Sequence, residues 1–134
     1  MTGNLAFQSL TPILYVDAIE PCLPFWVERL GFTVTISVPE GESLGFAAVA
    51  REGIEVMYQT HASMAKDIGV VGSMRSPVML FCRMADLDAV IERLEGAEIA
   101  VPRRRTFYGA DEIYVRTVGG HMIGFAAFPA ENDN

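Results

Sequence analysis

Cysteine and histidine are scarce in this chain, with two of each in 134 residues. Cys22 falls near the start of a predicted helix and Cys82 in an apolar strand. Two separate buried thiols in a reducing cytoplasm suit that placement better than a disulfide, so a cytoplasmic protein is expected. The histidines are His61, just past an apolar strand, and His121, at a turn into another. A non-haem iron centre needs two histidines and a carboxylate facing one point, and this pair is badly placed for it. Positive charge is also short: 10 Lys and Arg stand against 17 Asp and Glu, a net charge of −7. That balance excludes nucleic acid and anionic membrane surfaces as expected partners. The one basic cluster, Arg103-Arg104-Arg105, reads as a solvated loop after Pro102. No apolar run approaches the ~18 residues that span a bilayer. Residues 1–4 show no basic leader followed by an apolar stretch, so no signal peptide is expected. What the chain does have is apolar residues, 51% of the total, enough for one domain with a sizeable core.

Those apolar residues are arranged twice over. Ile13-Leu14-Tyr15-Val16 leads into a helical pattern that ends at Glu28-Arg29-Leu30-Gly31-Phe32. Val78-Met79-Leu80-Phe81 leads into another that ends at Glu92-Arg93-Leu94-Glu95-Gly96-Ala97. Each half closes on an apolar strand after glycine, Gly53 to Tyr58 and Gly120 to Phe125. The reading is strand, helix and three strands, twice: an α+β fold of two βαβββ modules whose curved mixed sheets enclose a cleft. Module one covers about 8–60, a connector 61–76, module two about 77–128, and a disordered tail 129–134. Strands are predicted at 10–17, 32–38, 44–51, 53–60, 78–84, 98–101, 111–117 and 121–128. Helices are predicted at 22–30, with Trp26 in the core, and at 86–95, capped by Asp86. The connector is read as mobile.

Val16-Asp17 before the first helix, Phe25-Trp26 within it and Leu30-Gly31-Phe32 after it make a recognisable set. With Phe107 to Arg116 followed by Gly120-His121, which resembles the penultimate hairpin of bleomycin-resistance-like members, it resembles the vicinal-oxygen-chelate superfamily, and within it those members. The superfamily also holds glyoxalase I and extradiol dioxygenases. One departure is the turn Thr117-Val118-Gly119-Gly120, where relatives often carry Asp-Pro-Asp-Gly. In metal-using members four ligands project from the first and last strands of each module. The resemblance places those positions at Pro12, Glu55, Met79 and Gly124. Only Glu55 is a competent donor, so no metal and no other cofactor is expected.

Strand alternation gives the expected cleft wall. If Glu55 faces inward, so do Met57 and Gln59. The same parity selects Leu14 in the first strand, Met79 and Phe81 in the fifth, and Ala126 and Phe128 in the last. Tyr108 joins them from a loop at the mouth. Such an apolar, methionine-rich wall suits a hydrophobic or aromatic ligand. Glu55 is its one acid, either an anchor for a cationic or hydrogen-bond-donating group or a general base; Tyr108 is the second catalytic candidate. The leading expectation is a metal-free protein that sequesters such a ligand, as a homodimer. The alternative is a lyase or isomerase of the glyoxalase type using Glu55 as base. Ligand identity, and whether the cleft forms within one chain or across a dimer, stay open at this level.

Overall fold

The computed structural model describes residues 5, 8–68 and 78–129. The expected mobility of the connector beyond residue 68 and the expected disorder of the tail from residue 130 fall outside them. The elements are β1 (Ile13–Val16), a 3-10 turn (Glu20–Cys22), a π-helix (Phe25–Arg29), β2 (Thr33–Glu40), β3 (Ser43–Arg51), β4 (Ile54–Thr60) and α1 (His61–Ile68). They continue as β5 (Leu80–Arg83), α2 (Leu87–Arg93), β6 (Glu98–Arg105), β7 (Asp111–Arg116) and β8 (Met122–Ala127). Two four-stranded mixed sheets result, ordered β1-β4-β3-β2 and β5-β8-β7-β6. In each the first strand lies parallel to the fourth and the other pairs are antiparallel. This is the doubled βαβββ architecture expected from the repeat. Among the described residues no helix is long and apolar enough to cross a membrane.

Local chemistry accounts for the departures from the expected elements. Pro21 and Pro24 remove two backbone donors, so the first helix is broken into a 3-10 turn and a π-helix instead of running through 22–30. Gly31, at φ +77°, ends it in the left-handed conformation. There the Gly31 amide bonds the Val27 carbonyl and the Phe32 amide bonds the Trp26 carbonyl. Asp86 caps α2 as expected, its carboxylate accepting from the amides of Asp88 and Ala89. The arginine run is not a loop. β6 carries it to Arg105 as an edge strand, and a register shift between Val101 and Arg104 accommodates Pro102. Arg103 then reaches the carboxylates of Asp88 and Asp111, and Arg104 reaches Glu112.

One apolar core joins the two modules. Leu14, Val16, Val56 and Tyr58 of the first sheet and Ile123 and Phe125 of the second belong to the same buried cluster. Trp26, Leu87, Val90 and Leu94 of the helical segments complete it. Arg29 donates to the carbonyls of Arg93 and Glu95, and Arg93 returns a bond to the Arg29 carbonyl. At the centre, Trp26 Nε1 donates to the Tyr58 hydroxyl at 2.9 Å, with both side chains buried. Burial pushes the Tyr58 phenol up to about 12, so it stays neutral. Replacing Tyr58 by Phe leaves a buried indole N–H without its partner. Urea unfolding of Tyr58→Phe is expected to show a loss of about 1–3 kcal/mol. An unchanged midpoint would mean that the indole finds another acceptor.

Candidate functional site

Burying Val56 and Tyr58 in the core turns Glu55, Met57 and Gln59 to the opposite face of β4. Glu55 lies on the part of β4 that precedes its pairing with β1, at the edge of the first sheet. Beside it a cleft of about 650 Å³ runs between that edge and β5 of the second sheet. Its apolar lining includes Pro12, Trp26, Leu30, Phe32, Leu80, Phe81 and Phe125, contributed by both modules. The volume is in the range that holds a small organic ligand. Glu55 accepts a hydrogen bond from the Thr11 hydroxyl at 3.2 Å. Arg83 also lines the cleft, and its guanidinium carbon lies 4.2 Å from the centroid of the Phe128 ring.

The corresponding face of the second sheet holds an acid that strand parity did not single out. Glu112 is 0% exposed. Its Oε2 accepts from Arg104 Nε at 2.8 Å and Nη2 at 2.7 Å, and its Oε1 accepts from the Tyr108 hydroxyl at 2.8 Å. A buried carboxylate is tolerable when its lone pairs are filled by a cation and a hydroxyl in this way. The bond also ties the loop carrying Tyr108 to the sheet. A sequence signal for it existed: in Glu112-Ile113-Tyr114-Val115 the alternation that sends Ile113 and Val115 to the core turns Glu112 to the other face.

The expected wall residues do not all meet in one place. Glu55 and Phe81 line the cleft between the sheets. Gln59 lines a second hollow, about 520 Å³, with Ile13, Val38 and Phe46 beside α1. Tyr108, Ala126 and Phe128 gather near Glu112 on the second sheet, Tyr108 and Phe128 with ring centroids 6.5 Å apart. Met57 shares a face with Glu55 and Gln59, and Met79 is half-exposed just before β5. Leu14 is buried on the other side. The parallel register pairs it with Tyr58, so it packs in the core while Ile13 and Tyr15 take the open face. Parity within a strand is a local property, whereas the offset between β1 and β4 is not.

The four positions that the resemblance marks for metal ligands can be tested on the same geometry. Pro12 offers no donor side chain, and Met79 only a soft thioether that suits neither a hard nor a borderline cation. Gly124 offers none either, and the Tyr114 ring occupies the space above it: a Cβ there would come within 2.5 Å of that ring. Among the described residues no three His, Cys, Asp or Glu side chains are grouped to hold a metal ion. The residues present do not fit the family's metal centre.

Comparison with known proteins agrees with the architecture. The family model for the Glyoxalase/Bleomycin resistance protein/Dioxygenase superfamily matches residues 7–125. No curated protein matches the sequence. TioX from Micromonospora sp. ML1 superposes with a TM-score of 0.72 at 18% identity, covering 92% of this chain and 100% of its own. A glyoxalase-related enzyme from Fulvimarina pelagi gives 0.73 at 20% identity, covering 96% of each chain. TnmS3, an antibiotic binding protein from Streptomyces sp. CB03234, gives 0.66 at 21% identity, covering 94% of this chain and 100% of its own. At these identities the likeness speaks for the fold.

The two histidines form a separate feature where the modules adjoin. The His61 ring stacks near Tyr15 and its Nε2 lies 3.9 Å from the Asp17 carboxylate. The Nδ1 atoms of His61 and His121 are both buried and, among the described residues, without a hydrogen-bond partner. Burial, and secondarily the nearby His61, hold His121 below its ordinary pKa of 6.5. The unfolded chain therefore takes up a proton that the native state refuses. The stability associated with neutral His121 is present above pH 6.5 and is lost as pH falls below it. Thermal melts from about pH 7.5 to 5.5 are expected to show a falling midpoint, with a shallower fall in His121→Asn. Parallel curves for the two proteins would remove His121 as the cause.

Proposed function

The chain belongs to the Glyoxalase/Bleomycin resistance protein/Dioxygenase superfamily, and from that premise we propose that it is a metal-free binding protein which sequesters a hydrophobic, partly aromatic small molecule beside Glu55. The observation that carries this reading is the cleft itself: ligand-sized, apolar on both banks, and supplied by both modules. Three of the family's four ligand positions are Pro12, Met79 and Gly124, which supports binding without a metal. An antibiotic binding protein, TnmS3, has the same fold. Apolar area supplies most of the affinity in such a site, while one acid selects the ligand by charge or hydrogen bonding.

A second copy of the chain is part of the proposal. Ile36 and Val38 on the outer strand β2, Ile13 on β1 at the other edge of that sheet, and Met79 and Phe81 on the second module are about 40–50% exposed. An isologous two-fold contact would cover patches on both copies at once and shield the free β2 edge. Sedimentation is expected to give a dimer at micromolar concentration, and Ile36→Glu a monomer. A monomeric wild type would remove this part of the reading.

Calorimetry tests the site. Naphthylmethylammonium is expected to bind at about micromolar strength, near −8 kcal/mol. Glu55→Gln should weaken it by roughly ten- to a hundredfold, the worth of a charge-assisted hydrogen bond, and leave naphthylmethanol unaffected. Equal affinities for both probes before and after the substitution would make Glu55 structural.

A further inference from the structure

Six charged side chains line the cleft: Arg51, Glu52, Glu55, Arg83, Asp86 and Arg93. Four of them are committed to the protein. Arg51 donates to the Leu30 carbonyl and pairs with Glu52. Asp86 caps α2. Arg93 holds the Arg29 carbonyl. Glu55 and Arg83 remain. Among the described residues neither forms an ion pair, with the other or with anything else.

Each is held instead by a neutral group. Thr11 donates its hydroxyl to Glu55, and the Phe128 ring lies against the Arg83 guanidinium. The guanidinium carbon lies 4.2 Å from the Phe128 centroid, and among the described residues none of its N–H groups is bonded to a side chain or carbonyl, so the donors that match a carboxylate are uncommitted. Glu55 keeps lone pairs that the single Thr11 bond does not fill. Opposite charges on the lining of one cleft, with no ion pair between them, are complementary to a molecule that carries the reverse pair.

We propose that the ligand is amphoteric: a planar aromatic body with a basic group that meets Glu55 and an acidic group that meets Arg83. The assignment rests on the binding reading above and deepens it by naming the ligand's second charge. It makes Arg83 a specificity-determining residue.

Calorimetry on the full chain with four naphthalene probes tests it: aminomethyl-naphthoate with both charges, naphthoate, naphthylmethylammonium, and neutral naphthylmethanol. The wild type is expected to bind the doubly charged probe at least roughly tenfold more tightly than either singly charged one. Arg83→Gln should cost roughly tenfold or more for aminomethyl-naphthoate and naphthoate and leave naphthylmethylammonium unchanged. Glu55→Gln should show the mirror pattern. Arg83→Lys, which keeps the charge without the planar fork, should recover part of the loss. Near-UV circular dichroism on each variant checks that packing is intact.

If Arg83→Gln weakens all four probes alike, or none, Arg83 is a packing residue and the amphoteric assignment falls while the binding reading stands. A doubly charged probe that binds no better than the singly charged ones overturns the assignment in the same way. Failure of every probe to bind the wild type overturns the binding reading together with it.

Discussion

Each sheet has only two faces, and one face of each is committed to the shared core. Tyr58 can be buried because Trp26 Nε1 meets its hydroxyl, and Val56, Ile123 and Phe125 follow it into the same cluster. With a two-residue period, that commitment turns Glu55, Met57 and Gln59 on β4 and Gly124 and Ala126 on β8 to the other face. The position of Glu55 is therefore a consequence of the core. A shift of β4 by one residue would bury the carboxylate beside Trp26 and expose Tyr58, at a cost no surface contact could offset.

The two acids on the open faces differ in what surrounds them. Glu112 is sealed from water and satisfied by Arg104 and Tyr108. Removing either partner would leave buried charge or an empty lone pair, so its role is to fasten the Tyr108 loop and the β6 edge to the sheet. Glu55 is partly exposed and has one neutral neighbour, Thr11. The first arrangement is complete within the chain; the second has capacity left over. The same distinction separates Arg104, which is spent on Glu112, from Arg83, which only rests on an aromatic ring.

The positions that the resemblance marks for metal ligands show how little the doubled sheet itself asks of them. At Gly124 the missing side chain is what lets the Tyr114 ring lie across β8. Space that any side chain at this position would occupy is filled by an aromatic ring from the neighbouring strand. At Pro12 the carbonyl still accepts from the Met57 amide, so the strand entry is preserved although the side chain offers no donor. The backbone needs only hydrogen-bonding groups and apolar faces from these positions, and they supply both.

The repeat, the strand parity, the burial of Trp26, the Asp86 cap and the chemical poverty of Pro12, Met79 and Gly124 were all determined by the sequence alone. Each depends on a residue's own chemistry or on near neighbours in the chain. Tertiary structure decided the rest. Leu14 turned inward because of the offset between β1 and β4, whose partners such as Leu14 and Tyr58 stand far apart in the chain and whose register no local pattern reports. The arginine run became a strand because Asp88, Asp111 and Glu112 were within reach of it. Glu55 and Arg83 came to share one cleft because the helical segments pack the modules into a common core. Local periodicity fixes which way a side chain can point; only long-range packing decides what it meets there.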